Sequence, residues 1–114
     1  MNVVFVAPYA METTLRFARR AAELPGIRLG MISQEPGEAL VRELGGKLAA
    51  FERVENALDP DQVQRATRAI GSHLGGKVDR LLGVLEQLLE PLALVRERLQ
   101  IRGMDLAEAR NFRD

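Results

Sequence analysis

The sequence contains no cysteine and no tryptophan, and it has one histidine and one tyrosine. Without cysteine the chain can form no disulfide, no thiolate metal site and no cysteine nucleophile, and a single histidine excludes an imidazole cluster. A charge excess is also lacking, because sixteen acidic residues balance sixteen basic residues. This balance argues against a nucleic-acid-binding groove, which usually shows as an excess of basic residues.

Long apolar runs are missing as well. No stretch approaches the roughly twenty residues of a membrane-spanning helix, and the segment from Met1 to Val6 lacks the basic start and the length of a signal peptide. The sequence therefore predicts a cytoplasmic protein with neither a membrane nor a nucleic-acid partner. What is present is 114 residues, 46% of them hydrophobic, which is enough for one domain that buries about two-thirds of the surface of the unfolded chain.

Short apolar runs alternate along the chain with amphipathic segments that have helical spacing. The predicted strands span Val3–Val6, Ile27–Ile32, Ala49–Val54 and Val78–Leu85. The predicted helices span Thr13–Leu24, Pro36–Leu44, a segment from Asp59 to Gly75, and a segment from Pro91 to Leu99. Such alternation is typical of an α/β fold. We predict a three-layer, Rossmann-like domain with flanking helices and a mainly parallel four-stranded sheet in the order 3-2-1-4.

Local patterns predict how some of these helices begin and how their surfaces pair. Asp59 is expected to cap the third helix, with Pro60 at its first position and Gln62 completing a capping box. Exposed ion pairs at four-residue spacing, each worth a few tenths of a kcal/mol, are expected within the first helix. They are Glu12 with Arg16, and Arg19 with Glu23.

The segment Gly71–Lys77 has the glycine and lysine spacing of a phosphate-binding loop, but its context differs. Val78 stands where that loop needs a hydroxyl, and the order is helix, loop, strand instead of strand, loop, helix. We therefore interpret the segment as a helix end and Lys77 as a solvated turn residue. The loop after the first strand lacks glycine, so the dinucleotide fingerprint is absent too. No catalytic, cofactor-binding or metal-binding residues are predicted.

In an open parallel sheet, ligands bind beyond the carboxyl ends of the strands where the strand order reverses. Here that point lies between the first and fourth strands, and the candidate substrate-crevice residues are Tyr9, Thr13, Thr14 and Glu86. Three of these residues have an alternative explanation. Thr13 or Thr14 can cap the first helix, and Glu86 can cap the helix that follows it.

Several stretches in a fixed order resemble a known family. They are Ala7–Tyr9 with Glu12–Phe17, Leu24–Gly26 with Leu29–Gln34, Leu81–Gln87, Pro91–Ala93 with Val95–Arg96, and Gly103–Met104 leading to Asn111–Asp114. In this order the chain resembles the N-terminal, pre-ATP-grasp domain of ATP-grasp ligases, the superfamily of biotin carboxylase and carbamoyl phosphate synthase. None of these stretches is a catalytic signature, so the resemblance depends on their order and spacing.

The resemblance implies a pre-ATP-grasp domain over residues 1–100, and a connection with the start of a helix over residues 101–114 that leads to absent ATP-grasp domains. Asp105 to Glu108 has a capping pattern that fits this helix start. The full-length protein would be an ATP-dependent carboxylate–amine or related ligase that uses ATP and magnesium. This chain would help to form the crevice for a small carboxylate or amine, would bind no cofactor and would be inactive alone. Its partners would be the remaining domains, with a homodimer as a further possibility.

A second interpretation is a stand-alone module that binds a ligand or a protein and performs no chemistry. It predicts saturable binding by this chain alone. A third interpretation, a small nucleotide-dependent enzyme, is the weakest because both phosphate-binding fingerprints fail.

Overall fold

The computed structural model describes residues 1–9, 11–44, 46–103, 107 and 109. The strands are β1 (Asn2–Val6), β2 (Arg28–Ser33), β3 (Ala50–Arg53) and β4 (Arg80–Gly83). The helices are α1 (Glu12–Glu23), α2 (Gly37–Glu43), α3 (Pro60–His73) and α4 (Leu89–Leu99), with a 3₁₀ turn at Glu86–Leu88. The start of the final predicted helix, at Asp105 and Leu106, lies outside the described residues.

The four strands form one parallel sheet in the order β3-β2-β1-β4. Val4 in the central strand β1 lies between Gly30 of β2 and Leu81 of β4. Val3 to Val6 are all buried, as expected for a continuous apolar run that is covered on both faces of a parallel sheet. The predicted α/β fold and strand order are confirmed.

Helices cover both faces of the sheet and form two apolar cores. The core beneath α1 and α2 contains Phe5, Leu15, Ala18, Leu29, Met31 and Leu40. The core beneath α3 and α4 contains Val4, Val6, Val63, Ile70, Leu81, Leu92 and Val95. Alternate residues of β1 thus enter opposite cores, which is the arrangement that a three-layer domain requires.

Helix α3 packs so closely on β2 that glycine is needed in the strand. A Cβ atom at Gly30 would lie 2.5 Å from Ile70 Cγ2, closer than carbon atoms can approach. At the start of this helix, the Asp59 side chain accepts a hydrogen bond from Asp61 N at 2.9 Å. The predicted cap is confirmed, but the predicted capping box is wrong, because the side-chain oxygen of Gln62 accepts from Glu55 N and Asn56 N in the preceding loop and not from Asp59 N.

The amino ends of β1, β2 and β4 are joined by a set of polar groups that we call the amino-edge network. The Asn2 side chain donates to the carbonyl oxygens of Leu74 and Lys77 at 3.0 and 2.7 Å, and its oxygen accepts from Arg28 Nε at 3.0 Å. Asp79 Oδ2 accepts from Asn2 N at 2.8 Å, and this hydrogen bond is the main reason that the pKa of Asp79 is lowered. The network fastens the α3–β4 connection to the start of β1.

The two ion pairs predicted within α1 do not form: among the described residues Glu12 and Arg16 make no ion pair, and Arg19 and Glu23 pair outside the helix. Arg19 pairs with Glu43 of α2 at 3.1 Å, and Glu23 pairs with Lys47. Both partners follow from the position of α2 beside α1 on the same face of the sheet. In the part of the chain that the structure describes, no helix has the length and apolarity to cross a membrane.

Candidate functional site

A small pocket lies at the carboxyl ends of the strands, and we call it the crevice. Its volume is about 230 Å³, and the loop after each of the four strands contributes to its wall. The lining residues are Pro8 and Tyr9 after β1, Gln34 after β2, Glu55, Asn56 and Leu58 after β3, and Leu85 and Gln87 after β4. The carboxyl ends of parallel strands meet at one edge, and the strand order reverses beside β1, so this is where the fold places a ligand.

The loops after β1 and β2 are tied together by backbone and hydroxyl groups. The Pro8 carbonyl oxygen accepts hydrogen bonds from Gln34 N at 3.1 Å and from Ser33 Oγ at 3.3 Å. The same hydroxyl oxygen accepts from Glu35 N at 3.1 Å, and Ser33 is fully buried. These bonds hold Tyr9 and Gln34 on neighbouring walls of the crevice.

The loop after β3 is held by a side chain from the first turn of α3. Gln62 Oε1 accepts hydrogen bonds from Glu55 N at 3.0 Å and from Asn56 N at 2.9 Å. The Asn56 side-chain oxygen in turn accepts from Leu58 N at 3.0 Å. Two consecutive backbone amides therefore have fixed acceptors, and the positions of the Glu55 and Asn56 side chains at the crevice depend on them.

The side-chain amides of Gln34 and Asn56 have defined orientations in the crevice. Gln34 Oε1 accepts from Ala57 N at 2.8 Å, just as Asn56 Oδ1 accepts from Leu58 N. A backbone N–H can only donate, so each amide must present its oxygen there and its NH₂ group elsewhere. Within the described part of the chain, neither NH₂ group donates a hydrogen bond to a protein atom.

The electrostatic character of the crevice is set by one carboxylate, that of Glu55, beside three side-chain amides and the Tyr9 phenol. No lysine, arginine or histidine is among the described residues that line it. Glu55 is exposed, and its carboxylate forms no ion pair with the described residues. Phosphate groups require nearby cations, so the crevice does not fit ATP. Nor do any three histidine, aspartate or glutamate side chains group as metal ligands in the described ranges.

The four sequence-predicted crevice residues lie in different environments. Tyr9 lines the crevice and is 55% exposed. Glu86 begins the 3₁₀ turn and is exposed, while its neighbours Leu85 and Gln87 contribute to the lining. Thr14 is buried in the first turn of α1, and Thr13 faces a separate groove. The structure therefore brings Tyr9 to the crevice and Glu86 close to it in sequence, but it does not bring the threonines there.

The alternative roles suggested for these residues also differ from the structure. The N-cap of α1 is Met11, which makes no side-chain hydrogen bond, so neither Thr13 nor Thr14 is the cap. Glu86 does not cap the helix that follows it, because the N-cap of α4 is Leu88 and no side-chain cap hydrogen bond is made there. These capping predictions are wrong, and α1 begins after Met11 without a side-chain cap.

The groove beside Thr13 follows one face of α1. It has a volume of about 510 Å³ and is predominantly apolar. Its described lining comprises Thr13, Arg16, Phe17, Arg20, Ala21 and Leu24. Phe17 packs against Phe5 with ring centroids 5.0 Å apart, yet 43% of Phe17 and 57% of Leu24 are exposed. This face is therefore suited to a protein contact more than to a small polar ligand.

The segment that resembles a phosphate-binding loop lies at the opposite edge of the sheet. Helix α3 ends at His73, and Gly75 and Gly76 both have φ near +101°, so the glycines serve the helix end as predicted. Lys77 is exposed and lies 3.5 Å from the Asp79 carboxylate. The segment lines a cavity of about 440 Å³ together with the end of α4. Two helix carboxyl ends, which disfavour anions, meet there.

Sequence reasoning missed the contribution of the loops after β2 and β3. Gln34 lies within a resembling stretch, whereas Glu55 and Asn56 belong to no motif or resembling stretch. A usable signal is present, because polar residues directly follow both predicted strands: Ser33 and Gln34 follow Ile27–Ile32, and Glu55 and Asn56 follow Ala49–Val54. The site is thus marked by the polar residues at all four carboxyl ends, and not only by those at the two strands beside the reversal.

No protein-family model matches the chain, and no curated protein matches it. The fold and the crevice are therefore the observations on which an inference about function must rest.

Proposed function

We propose that this chain is the N-terminal, pre-ATP-grasp domain of an ATP-dependent carboxylate–amine or related ligase, and that its crevice forms part of the substrate site. The observation that carries the proposal is the composition of the crevice. All four strand loops build it, it holds polar side chains, and its described lining lacks the cations that a nucleotide requires. A domain that positions a substrate while other domains hold the nucleotide has this character.

Two further observations support the proposal. The parallel sheet in the order 3-2-1-4 is the Rossmann-like architecture that the resemblance implies. The resembling stretches also fall at corresponding places in the fold, because Ala7 to Tyr9 and Leu81 to Gln87 both reach the crevice. Under this proposal residues 1–100 form the domain, and residues 101–114 connect it to the ATP-grasp domains.

In the proposed reaction, different domains perform different steps. In the full-length ligase, ATP with magnesium would activate a carboxylate as an acyl phosphate, which an amine then attacks. This chain would bind and orient the carboxylate or amine through the crevice, and would have no activity alone. The proposed partners are the remaining domains of the same polypeptide, with a homodimer as the second possibility. The exposed Phe17 on α1 and Leu24 at its carboxyl end support such protein contacts. The proposed location is the cytoplasm.

The decisive experiment reads the gene beyond codon 114 and assays the encoded protein. We expect the reading frame to continue into a domain with nucleotide-binding lysines and acidic magnesium ligands. The full-length product should release ADP from ATP only when a carboxylate and an amine are present, and the chain of 114 residues should release none. A stop codon directly after Asp114 would overturn the proposal.

The alternative is a stand-alone module that binds a small ligand without chemistry. The observation that favours it is that one chain supplies every described wall of the crevice. It requires a gene that ends at this chain and saturable binding by the chain itself. Continuation of the frame into ATP-grasp domains would count against it.

A further inference from the structure

The crevice presents hydrogen-bond donors and an acceptor that the described residues of its loops do not use. The NH₂ groups of Gln34 and Asn56 are turned away from the backbone N–H groups that hold their oxygens. The Glu55 carboxylate, on the residue before Asn56, forms no ion pair with the described part of the chain. The site thus offers neutral donors from two loops and a single negative charge.

These groups select a ligand by its charge. A carbonyl or carboxylate oxygen suits the two amide NH₂ groups, and an ammonium group suits the Glu55 carboxylate. A phosphate is disfavoured, because its charge would face Glu55 with no cation among the described lining residues. A simple carboxylate would meet the donors but would leave Glu55 as an uncompensated like charge. A molecule that carries both an ammonium and a carboxylate matches the whole set.

The size of the crevice limits the ligand further. Its volume of about 230 Å³ is below the roughly 300–1,000 Å³ of pockets that hold drug-sized molecules. The apolar part of its wall, from Pro8, Leu58 and Leu85, suits a short aliphatic side chain. We propose that the crevice binds a small zwitterionic amino acid, with its carboxylate at Gln34 and Asn56 and its ammonium at Glu55. This inference rests on the part of the proposed function that makes the crevice a substrate site.

The test uses three probes that differ by one group each. L-alanine carries both charges, propionate lacks the ammonium, and isopropylamine lacks the carboxylate. Amide chemical shifts of the chain of 114 residues are followed by NMR during titration with each probe. We expect L-alanine to shift the amides around Gln34 and from Glu55 to Leu58, and to bind about fivefold or more tightly than either partial probe, the scale of one exposed charged contact.

Two variants separate the roles of the two charges. Glu55→Gln removes the negative charge and should abolish the preference for L-alanine over propionate. Asn56→Asp keeps an oxygen for Leu58 N but replaces the NH₂ donor by a negative oxygen. It should therefore weaken the binding of L-alanine about tenfold, while isopropylamine should bind at least as tightly as before. Glu38→Gln, an exposed substitution on α2, should change none of these values. Spectra of all variants report whether the fold is retained.

The outcomes distinguish this inference from the proposed function. If inorganic phosphate or propionate shifts the crevice amides more strongly than L-alanine, or if Glu55→Gln keeps the preference for L-alanine, the amino-acid site is wrong even where the gene encodes ATP-grasp domains. If L-alanine binds as described and the gene stops after codon 114, the ligase proposal is wrong and the amino-acid site remains.

Discussion

The two edges of the sheet use polar side chains in opposite ways. At the amino edge, Asn2 satisfies two carbonyl oxygens and receives a hydrogen bond from Arg28, while Asp79 accepts from Asn2 N. At the carboxyl edge, Gln34 and Asn56 use only their oxygens to hold backbone groups, and their NH₂ groups have no partner in the described chain. The polar groups of the amino edge are thus used within the fold, whereas the carboxyl edge leaves donors that the proposed ligand would use.

The largest effect on stability is expected when the amino-edge network is disrupted. Asn2→Ala removes two donors and one acceptor from the amino-edge network and leaves the partly buried Leu74 carbonyl with one partner fewer. We expect a loss of about 1–3 kcal/mol in the free energy of unfolding, measured by urea denaturation. The matched change at the other edge, Gln87→Ala, removes an exposed amide and should change stability by less than about 0.5 kcal/mol. Equal losses in the two variants would contradict the comparison.

A smaller effect is expected where the carboxyl edge also depends on a structural amide. Gln62→Ala leaves Glu55 N and Asn56 N without their shared acceptor and removes a hydrogen bond to Asp59. The free energy of unfolding should fall by about 1 kcal/mol, and hydrogen exchange at those two amides should become faster. Gln64→Ala, on the same helix but facing Arg98, is the control. If both variants exchange alike, the crevice loop does not depend on Gln62.

The smallest effect concerns the pH dependence of the amino edge. The hydrogen bond from Asn2 N lowers the pKa of Asp79. The stabilisation from this carboxylate is therefore present above the ordinary aspartate pKa and is lost as the pH falls through the lowered folded-state pKa. Asp79→Asn should make the urea midpoint less sensitive to acid than in the unmodified chain, and Glu38→Gln should not. An unchanged acid dependence in Asp79→Asn would show that other carboxylates set it.

The fold was largely predictable because the strands are recognisable in the sequence as continuous apolar runs. The run Val3–Val6 favours a strand covered on both faces, and glycine pairs or prolines mark where helices end or begin. The fourth strand was predicted too long, as Val78–Leu85 instead of Arg80–Gly83. Its pairing with β1 ends at Val6 opposite Gly83, and beyond that point Val84 is 54% exposed. A hydrophobicity pattern cannot predict where β4 ends, because that end is set by the length of the partner strand β1.

The candidate site was predictable only in its location. The rule for parallel sheets placed Tyr9 correctly at the carboxyl edge. It did not reveal Glu55 and Asn56, since their position depends on Gln62, whose spacing suggested a cap for its own helix. The ion pairs predicted within α1 were wrong for the same reason, namely that the contacts are made with another segment of the chain. Arg19 and Glu23 pair with residues of a neighbouring segment. Residue spacing within one helix cannot predict such contacts.

Helix α3 reaches from one edge of the sheet to the other, and its 14 residues correspond to a length of about 21 Å. Its first turn holds the crevice loop through Gln62, and Leu74, at its carboxyl end, is bound by Asn2 and Arg28. Because proteins open in contiguous cooperative units, we expect this helix, which is held at both ends, to open as one. Occupancy of the crevice would therefore slow the opening of the distant Leu74 end as well, so that ligand binding can be followed by hydrogen exchange at a place the ligand never touches.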